Sequence, residues 1–346
     1  MVKVLIVDDS ALMRNTLTGM IKSDPELEVV GIARDGIEAI EKVVSLKPDI
    51  VTLDVEMPRM DGIEALKHIM SEYPLPVLMV SSLTANGAQV TLDALDLGAV
   101  DFIPKNLEDL SVNIVKIREV LIDKIKAIAK RGIVHSPVIR TARPLKIPKP
   151  SEYKSHRKTG VIVIGSSTGG PKALQNIISK LPKEIPVPIL VAQHMPPNFT
   201  APFAERLNQV SVISVKEAED KEPLKKGTVY IAPGSGHMGV LRKKITETLI
   251  SISSNSEEYI YKPSVDALML SVLEVYSGQV LGVILTGLGN DGELGMREIK
   301  NKGGRTIVQN EQTCVVYGMP KSVIQAGLAD KVVPLDEIAG EIVNAV

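Results

Sequence analysis

The sequence predicts an α/β protein with two doubly wound parallel-sheet domains, and three observations lead to that prediction. Short apolar segments rich in Val, Ile and Leu alternate with segments of helical spacing, first over residues 1–129 and again over residues 159–346. Continuous apolar strands of this kind are typical of parallel sheets that helices cover on both faces. A basic, proline-containing stretch separates the two series, and 346 residues are enough for two domains.

In the first series, strands and helices alternate regularly. The predicted strands are Lys3–Asp9, Glu28–Ala33, Asp49–Val55, Val77–Ser82 and Asp101–Lys105. The helices predicted from the spacing of apolar residues include Ala11–Lys22, Gly36–Leu46, Gly62–Ser71 and a last one near Glu108–Ala129. Because each apolar strand is followed by a helix, residues 1–129 are expected to form one parallel-sheet domain.

Residues 130–158 differ in composition from both flanking series. They hold nine Lys and Arg residues, four prolines and a single acidic residue, with no amphipathic period. Such a stretch is typical of an extended linker. Its basic charge also suits docking on an acidic partner or an anionic membrane face, but a solvated linker is the favoured interpretation.

The second series predicts another α/β domain, residues 159–346, which is not a copy of the first. Its predicted strands are Gly160–Ser166, Ile189–His194, Thr228–Ala232, Val280–Gly287 and Arg305–Gln309. Its predicted helices are Pro171–Leu181, Phe199–Asn208, Val265–Tyr276 and Gly292–Asn301. The stretch "VLRKKITETLISISS" alternates with period two and predicts a β-hairpin inserted into this pattern.

Composition narrows the class of protein. Lys and Arg number 40 against 41 Asp and Glu, so no global basic field attracts nucleic acid. The single cysteine, Cys314, excludes an internal disulfide and a multi-cysteine metal cluster, and suits a reducing compartment. The start of the sequence has no basic-then-apolar leader, and no apolar run approaches the roughly 18 residues of a membrane span. We therefore expect a cytoplasmic protein without membrane insertion or a nucleic-acid partner.

Polar residues collect at the carboxyl ends of the strands in the first domain, where parallel sheets bind ligands. Asp8 and Asp9 end the first strand, Asp54 the third, Ser81 the fourth and Lys105 the fifth. Adjacent carboxylates repel each other, and Mg²⁺ relieves that repulsion through oxygen ligation. A lone Asp at a strand end is commonly a helix cap, but the whole set predicts a pocket for Mg²⁺ and a phosphoryl group.

Residues 1–105 resemble the receiver domains of response regulators, which have a flavodoxin-like fold. The motifs that carry the resemblance are "VDDS" at 7–10, "LDVEMPRMDG" at 53–62, "MVSS" at 79–82 and "DFIPK" at 101–105. The resemblance implies that Asp54 accepts a phosphoryl group from the phosphohistidine of a partner kinase. It further implies that Asp9 and Asp54 bind Mg²⁺ with the backbone carbonyl of Glu56, while Asp8 assists through water.

The same resemblance assigns roles to three further positions. Ser81 and Lys105 would hold the phosphoryl group, and Phe102 takes the place of the switch aromatic residue. A buried position in the core is the alternative role for Phe102.

In the second domain, the stretch "GSSTG" at residues 165–169 fits the pattern G-x-S-x-G with Ser167 at its centre. It lacks the spacing of a phosphate-binding loop, and the true GxGxxG at Gly234–Gly239 precedes a period-two segment rather than a helix. Glycines permit a sharp strand-to-helix turn that exposes the serine hydroxyl, with backbone N–H groups facing a developing oxyanion. Ser167 is therefore a candidate nucleophile, and Ser166 is expected to support the turn.

A serine of this kind needs a base and a group that orients the base. His194 ends the strand that follows Ser167, so the sheet is expected to bring both residues to one edge. His237 lies in a glycine loop, where a solvent-facing or structural role is expected. The buried strand "VLGVILTGLGNDG" delivers Asp291 to the same edge as a candidate orienting acid. For Asp291, capping of the helix that begins near Gly292 is an equal alternative.

Residues 160–334 resemble the catalytic domain of the bacterial chemotaxis methylesterases, the CheB family of protein-glutamate methylesterases, expected to be Rossmann-like. The motifs are "IGSSTGGPKAL", "AQHMPPNFTAPFAERLN", "VKEAED", "YIAPG" with "HM", "KPSVDAL", "GVILTGLGNDGELGM" and "QNEQTCVVYGMPKSVI". The resemblance implies that Ser167, His194 and Asp291 are nucleophile, base and orienting acid. It implies γ-glutamyl methyl esters of chemoreceptors as substrates, glutamine deamidation as an additional activity, and no cofactor for the esterase reaction.

The oxyanion candidates are Thr168 and Leu288, the latter standing where relatives often carry methionine. The resemblance also implies that the unphosphorylated receiver occludes the Ser167 cleft and that phosphorylation of Asp54 relieves this. Three other classes stay open: a transcriptional regulator, a non-catalytic scaffold that docks receptors, and a serine hydrolase of small esters. The first would need a compact helix-turn-helix with a basic face, which the second domain does not offer.

Overall fold

The computed structural model describes residues 1–82, 84–105, 110–130, 158–244, 247–254 and 259–346. By the contacts between its residues, the chain divides into two compact units, 1–135 and 136–346. Both units are α/β, and each has a parallel main sheet, which confirms the predicted fold class. The predicted linker, residues 130–158, lies outside the described residues apart from its two end positions.

The first unit alternates strands and helices along its described length. Its elements are β1 Val2–Val7, α1 Ala11–Lys22, β2 Leu27–Ala33, α2 Gly36–Leu46, β3 Ile50–Asp54, α3 Gly62–Glu72, β4 Val77–Ser81, α4 Ala85–Leu97, β5 Asp101–Pro104 and α5 Leu110–Ala129. The sheet order is β2-β1-β3-β4-β5, with every pairing parallel. The order reverses between β1 and β3, so the residues that follow these two strands flank the crevice where such sheets bind ligands.

Helix α4 was not predicted from the sequence, since its residues "ANGAQVTLDALDL" include a glycine and an asparagine in the first turn. Local capping compensates for these weak helix formers. The Thr84 hydroxyl accepts a hydrogen bond from Gly87 N at 3.0 Å, and Gly98 ends the helix in the left-handed conformation. The apolar residues of α4 have only a weak helical period, so this helix was not predicted, and its two caps define its ends.

The second unit is built around a seven-stranded parallel sheet. Its elements are β6 Val161–Ser166, α6 Gly170–Ile178, β7 Ile189–Gln193, α7 Pro197–Gln209, β8 Ser214–Glu217, β9 Thr228–Ile231, β10 His237–Lys244, β11 Glu247–Ser253, α8 Val265–Tyr276, β12 Val280–Ile284, α9 Glu293–Asn301, β13 Arg305–Gln309, α10 Met319–Gln325, β14 Lys331–Val333 and α11 Leu335–Asn344. A short 3-10 helix spans Glu311–Thr313. The sheet order is β14-β13-β12-β6-β7-β9-β8, and β10 pairs with β11 as the predicted antiparallel hairpin outside this sheet.

The centre of this sheet positions the site. Every residue of β6 is buried, as expected for a strand that helices cover on both faces. β6 lies between β7 and β12, with Ser166 opposite Gln193 and Gly165 opposite Ile284. The strand order reverses between β6 and β12, so the residues after β6, β7 and β12 meet at the carboxyl edge beside the reversal.

Gly62 is required where α3 begins in the first unit. A Cβ atom at this position would lie 1.9 Å from the backbone oxygen of Asp54. We expect Gly62→Ala to lower the free energy of unfolding by about 1–3 kcal/mol or more. The backbone atoms that the new Cβ would meet cannot move aside as a flexible side chain could. Differential scanning calorimetry of the full chain measures the change in the transition of the first unit.

The matched control is Gly19→Ala, in the exposed middle of α1, where a Cβ atom would meet nothing within 4 Å. This substitution should raise the free energy of unfolding by about 0.5–1 kcal/mol, because alanine favours the helix. Equal destabilisation by the two substitutions would contradict the packing argument.

Candidate active site and acidic pocket

The predicted acidic residues of the first unit form a pocket around one ammonium group. Nζ of Lys105 lies 3.1 Å from Oδ2 of Asp8 and 2.5 Å from Oδ2 of Asp54. Carboxylate oxygens of Asp8, Asp9 and Asp54 lie within 4.8 Å of one another. Asp8 and Asp54 are buried and Asp9 is exposed, so the pocket opens toward solvent on the side of Asp9.

Backbone and side-chain hydrogen bonds fix the two loops of the pocket. Nη1 of Arg14 donates to the backbone oxygens of both Asp8 and Asp9 at 2.8 Å. Glu56 N donates to Oδ1 of Asp54 at 3.3 Å, which places the Glu56 backbone beside the predicted phosphorylation site. The loop after β1 and the loop after β3 are thus held in place by groups outside the carboxylate cluster.

The electrostatics of the pocket favour a bound cation. Burial and the nearby Asp8 charge raise the pKa of Asp54 to about 6, against the lowering effect of the Lys105 ammonium. Burial opposes the charge of Lys105, but Asp54 and Asp8 outweigh it and raise the pKa of Lys105. Oδ2 of Asp8 and Oδ2 of Asp54 contact the Lys105 ammonium and accept no hydrogen bond from any other described residue. Clustered carboxylate oxygens in this state suit a hard cation such as Mg²⁺, so the residues present fit that ion.

Ser81 and Phe102 lie next to this pocket but are engaged elsewhere. The Ser81 hydroxyl accepts a hydrogen bond from the Thr91 hydroxyl at 2.7 Å and lies 3.3 Å from Gly87 O, so it faces α4. Phe102 is buried, and Nζ of Lys124 lies 5.9 Å from its ring centroid and 3.0 Å from its backbone oxygen. Contact of Ser81 with a phosphoryl group would require its hydroxyl to rotate.

In the second unit, Ser167 lies in the turn between β6 and α6. Ser167 N donates to Thr286 O at 3.1 Å, and Ser167 O accepts from Gly170 N at 2.7 Å. Gly169, in the left-handed conformation with φ 76°, permits the abrupt entry into α6. The Ser167 side chain is 9% exposed, and its hydroxyl forms no hydrogen bond with a described residue.

A buried amide holds Ser167 and His194 in register. Nε2 of Gln193 donates to Ser167 O and to His194 O, both at 3.0 Å, and Oε1 accepts from the Ser166 hydroxyl at 2.6 Å. Ser166 thus supports the turn through Gln193. Gln193 was not predicted from the sequence, because a glutamine at the end of a strand carries no signal that distinguishes it from a surface residue.

His194 and Asp291 are in direct contact. Nε2 of His194 lies 2.8 Å from Oδ2 of Asp291. An ionised carboxylate only accepts hydrogen bonds, so Nε2 carries the proton and the lone pair lies on Nδ1. Nδ1 is buried and has no hydrogen-bond partner among the described residues. The ring nitrogen of His194 that is left to accept a proton is therefore Nδ1.

Asp291 also holds the start of α8. Its carboxylate accepts from Val265 N at 2.7 Å, Asp266 N at 3.0 Å and the Ser264 hydroxyl at 3.1 Å. Burial disfavours the charge, but the hydrogen bonds from His194 and from these backbone groups outweigh it and lower the pKa of Asp291. The alternative of a cap on the following helix is wrong, since the N-cap of α9 is Gly292 without a side-chain bond.

The two oxyanion candidates lie on loops that follow β6 and β12. The backbone N–H groups of Thr168 and Leu288 donate no hydrogen bond to any described residue. Thr168 is buried, and its hydroxyl likewise has no partner among the described residues. Leu288 is partly exposed. Both N–H groups thus remain able to donate to an anion.

Two further side chains close to the site, Tyr261 and Asp266, were not predicted, and a third, His237, was predicted with two alternative roles. The ring of Tyr261 stacks on the ring of His194, with centroids 4.4 Å apart and planes inclined by 10°. Asp266 accepts from Gly295 N at 2.7 Å, and burial together with the Asp291 charge raises the pKa of Asp266 to about 7. His237 is buried, and its Nδ1 accepts from Ser264 N at 3.1 Å, so of the two predicted roles the solvent-facing one is wrong. None of these contacts follows from the spacing of residues along the chain.

Comparison with known proteins shows similarity along the whole chain. A family model described as CheB methylesterase matches residues 162–342, and one described as response regulator receiver domain matches residues 4–114. A protein of Oleidesulfovibrio alaskensis named protein-glutamate methylesterase/protein-glutamine glutaminase 1 is 49% identical over 368 residues, covering 100% of both chains. A protein-glutamate methylesterase/protein-glutamine glutaminase of Pyrococcus horikoshii is 46% identical, covering 100% of this chain and 94% of that one.

A solved structure matches the second unit. The crystal structure of the Thermotoga maritima CheB methylesterase catalytic domain is 44% identical with a TM-score of 0.53, covering 55% of this chain and 100% of that one. Fold and sites define a two-domain protein in which a receiver-type acidic pocket precedes an α/β domain with Ser, His and Asp at one sheet edge. The chain belongs to the CheB methylesterase family, with an N-terminal response-regulator receiver domain, as the resemblance in the sequence implied.

The described part of the chain contains no helix that combines the length and the apolar composition needed to cross a bilayer.

Asp266 should make the stability of the second unit depend on pH. Between about pH 4 and pH 7 the unfolded chain has lost the Asp266 proton while the folded chain retains it, so the free energy of unfolding falls as the pH rises. Asp266→Asn removes this dependence. As the pH rises through this range, the free energy of unfolding of the variant minus that of the wild type should increase by up to about 1.4 kcal/mol per pH unit.

Urea unfolding of the full chain at several pH values measures this difference through the transition of the second unit. The matched control is Glu274→Gln, an exposed acidic residue on the same helix. A difference between Asp266→Asn and wild type that stays constant from pH 4 to pH 7 would refute the prediction.

Proposed function

We propose that this chain is a phosphorylation-activated serine esterase that hydrolyses γ-glutamyl methyl esters on chemoreceptors and deamidates receptor glutamines. The observation that carries the proposal is the buried contact between His194 and Asp291. His194 follows β7, which pairs with β6, the strand that ends directly before Ser167. Full-length relatives named for both activities support it. An ester and an amide share the same acyl group, so one nucleophile serves both reactions and only the leaving group differs.

In the proposed acylation step, Nδ1 of His194 accepts the Ser167 proton as the hydroxyl oxygen attacks the γ-carbonyl carbon. Asp291 stabilises the imidazolium that forms, because its buried carboxylate is already bonded to Nε2. The N–H groups of Thr168 and Leu288 donate to the oxyanion. His194 then gives its proton to the leaving group, which departs as methanol from the ester or ammonia from the amide.

The second half of the proposed reaction releases glutamate. A water molecule takes the place of the leaving group, His194 removes its proton, and the resulting oxyanion again meets the two backbone N–H groups. Collapse breaks the bond to the Ser167 oxygen, which regains a proton from His194. Both halves require an unprotonated Nδ1 at the start, and the Nε2–Asp291 bond preserves that tautomer.

The receiver domain supplies the control. In the proposal, Asp54 accepts a phosphoryl group from a chemotaxis histidine kinase, and Lys105 neutralises the added charge from its position beside the carboxylate. Asp8, Asp9, Asp54 and the backbone of Glu56 would hold Mg²⁺, which when bound offsets the negative charge of the phosphoryl oxygens. Ser81 would donate to a phosphoryl oxygen after turning from α4, and Phe102 would respond as the switch aromatic.

Substitution of the nucleophile tests the esterase proposal. Ser167→Ala should reduce methanol release from methylated chemoreceptor membranes to the uncatalysed level, because no oxygen remains to form the acyl-enzyme. The measurement is radiolabelled methanol released with the phosphodonor acetyl phosphate and Mg²⁺ present.

The neighbouring serine provides the matched control. Ser166→Ala removes a hydroxyl that bonds Gln193 but leaves the Ser167 oxygen in place, so activity should persist at a reduced rate. Methanol release by Ser167→Ala at the wild-type rate would end the proposal that Ser167 is the nucleophile. Equal release from generic small esters would instead favour a hydrolase without receptor specificity.

A substitution in the acidic pocket tests the control. Asp54→Asn should keep the activity of the unphosphorylated protein and lose the increase that acetyl phosphate and Mg²⁺ produce in the wild type, because an amide cannot accept the phosphoryl group. Methanol release with and without phosphodonor gives the ratio for each protein.

The control for Asp54→Asn is Asp61→Asn, which retains an N-cap acceptor for α3 and lies on the same loop. It should respond to phosphodonor like the wild type. Activation of the Asp54 variant to the wild-type ratio would place the phosphorylation site elsewhere.

A further inference from the structure

One face of the His194 ring is covered by a residue outside the predicted Ser–His–Asp set. The Tyr261 ring lies parallel to it, inclined by 10°, with 4.4 Å between the centroids. The edge of the imidazole is fixed by Asp291 through Nε2, while Nδ1 serves as the base. Tyr261 thus contacts a face of the imidazole, whereas Asp291 contacts its edge.

Parallel stacking has two physical effects on an imidazole. It opposes rotation of the ring about its bond to Cβ, which keeps Nδ1 in the position set by the bond of Nε2 to Asp291. An electron-rich phenol ring also attracts a cation over its face, so it stabilises the imidazolium more than the neutral ring. The proposed acylation forms an imidazolium, and both effects therefore act on the same step.

The segment that presents Tyr261 is fixed by the same carboxylate that orients His194. Tyr261 lies three residues before Ser264, the N-cap of α8, whose hydroxyl donates to Asp291. The Val265 N–H donates to the same carboxylate at 2.7 Å. Loss of the Asp291 carboxylate would therefore disturb both His194 and the segment that presents Tyr261.

The loop that carries Asp291 leaves room for the phenol group. Gly289 has φ 81°, and a Cβ atom there would lie 2.7 Å from the Tyr261 hydroxyl oxygen. A glycine meets both demands, since it tolerates the left-handed conformation and has no side chain to displace the ring. The tyrosine is thus fitted between His194 and the backbone of the loop that follows β12.

We propose that Tyr261 is a positioning residue of the active site, which acts through His194 by holding the imidazole in place and favouring its protonated form during acyl transfer. This inference rests on the proposed serine chemistry. It adds a fourth side chain that sets how fast Ser167 is activated and at which pH.

The other titratable groups near His194 stay in place when Tyr261 is changed. Asp291 contacts the imidazole directly, and Asp266 N bonds to Asp291. His237 accepts a hydrogen bond from Ser264 N, and burial first and then the Lys262 charge lower the pKa of His237. A change in pH dependence that follows substitution of Tyr261 alone therefore reports on the stacked ring.

The test is the rate at which a fluorophosphonate modifies Ser167 in the full chain, measured from pH 5 to pH 9. For Tyr261→Leu we expect the rate at high pH to fall about ten- to a hundredfold, because the base is no longer held. The acid limb of the profile should move to lower pH by about half a unit to one unit, because the imidazolium loses its aromatic partner. Tyr261→Phe, which keeps the ring, should stay within about threefold of the wild type.

The matched control is Tyr259→Leu, in which the same change is made two residues earlier, in a ring whose centroid lies 5.3 Å from that of His237. It should react at the wild-type rate with an unmoved acid limb. Circular dichroism of each variant verifies folding. Should the leucine variant be unfolded, Tyr261→Gln replaces it, with the same expected changes.

Each outcome decides the question. A slower rate and a moved acid limb for Tyr261→Leu, with rescue by phenylalanine, support the positioning role. A wild-type profile for Tyr261→Leu, or an equal loss in Tyr259→Leu, overturns it and leaves the esterase proposal intact. Absence of Ser167 modification in the wild type would overturn both the positioning role of Tyr261 and the role of Ser167 as nucleophile. Methanol release by the same protein then shows whether the esterase activity exists without this serine.

Discussion

The active-site edge of the second domain depends on one buried carboxylate. Asp291 is 7% exposed, and a carboxylate at that depth is stable only when hydrogen bonds replace the water it has lost. Its donors come from Ser264 and the first turn of α8 on one side and from His194 on the other. Through these bonds Asp291 links the ends of β12 and β7 to the start of α8. The same carboxylate therefore sets both the tautomer of His194 and the position of α8.

Much of this arrangement follows from patterns along the chain. Continuous apolar strands alternating with helices gave the parallel sheets, and the parallel direction alone predicts that Ser167, His194 and Asp291 lie at one edge. The roles of these residues remain proposals, but their proximity in the sheet needs only the strand order. The pattern does not predict which nitrogen of His194 contacts Asp291. Both nitrogens belong to the same residue, and only the orientation of the ring distinguishes them.

The unpredicted residues share a physical reason. Gln193, Asp266 and Tyr261 act through contacts between elements far apart in the chain, and each residue type is common on ordinary surfaces. Tyr261 is adjacent to His194 because the start of α8 is hydrogen-bonded to Asp291, which lies 30 residues after Tyr261 in the sequence. In the receiver domain, likewise, the position of Ser81 at the end of β4 was predictable, whereas its bond with Thr91 depends on how α4 packs.

The two sites use buried carboxylates in opposite ways, and the difference lies in their donors. Asp291 receives hydrogen bonds from a side-chain hydroxyl, two backbone N–H groups and an imidazole, and these lower its pKa despite burial. For Asp54, burial and the facing Asp8 carboxylate outweigh one backbone donor and one ammonium, so its pKa rises to about 6. A carboxylate saturated by fixed donors holds a neighbour in place, which is what an orienting acid must do. A carboxylate short of donors retains an oxygen for a cation and for a phosphoryl group, which is what an acceptor must do.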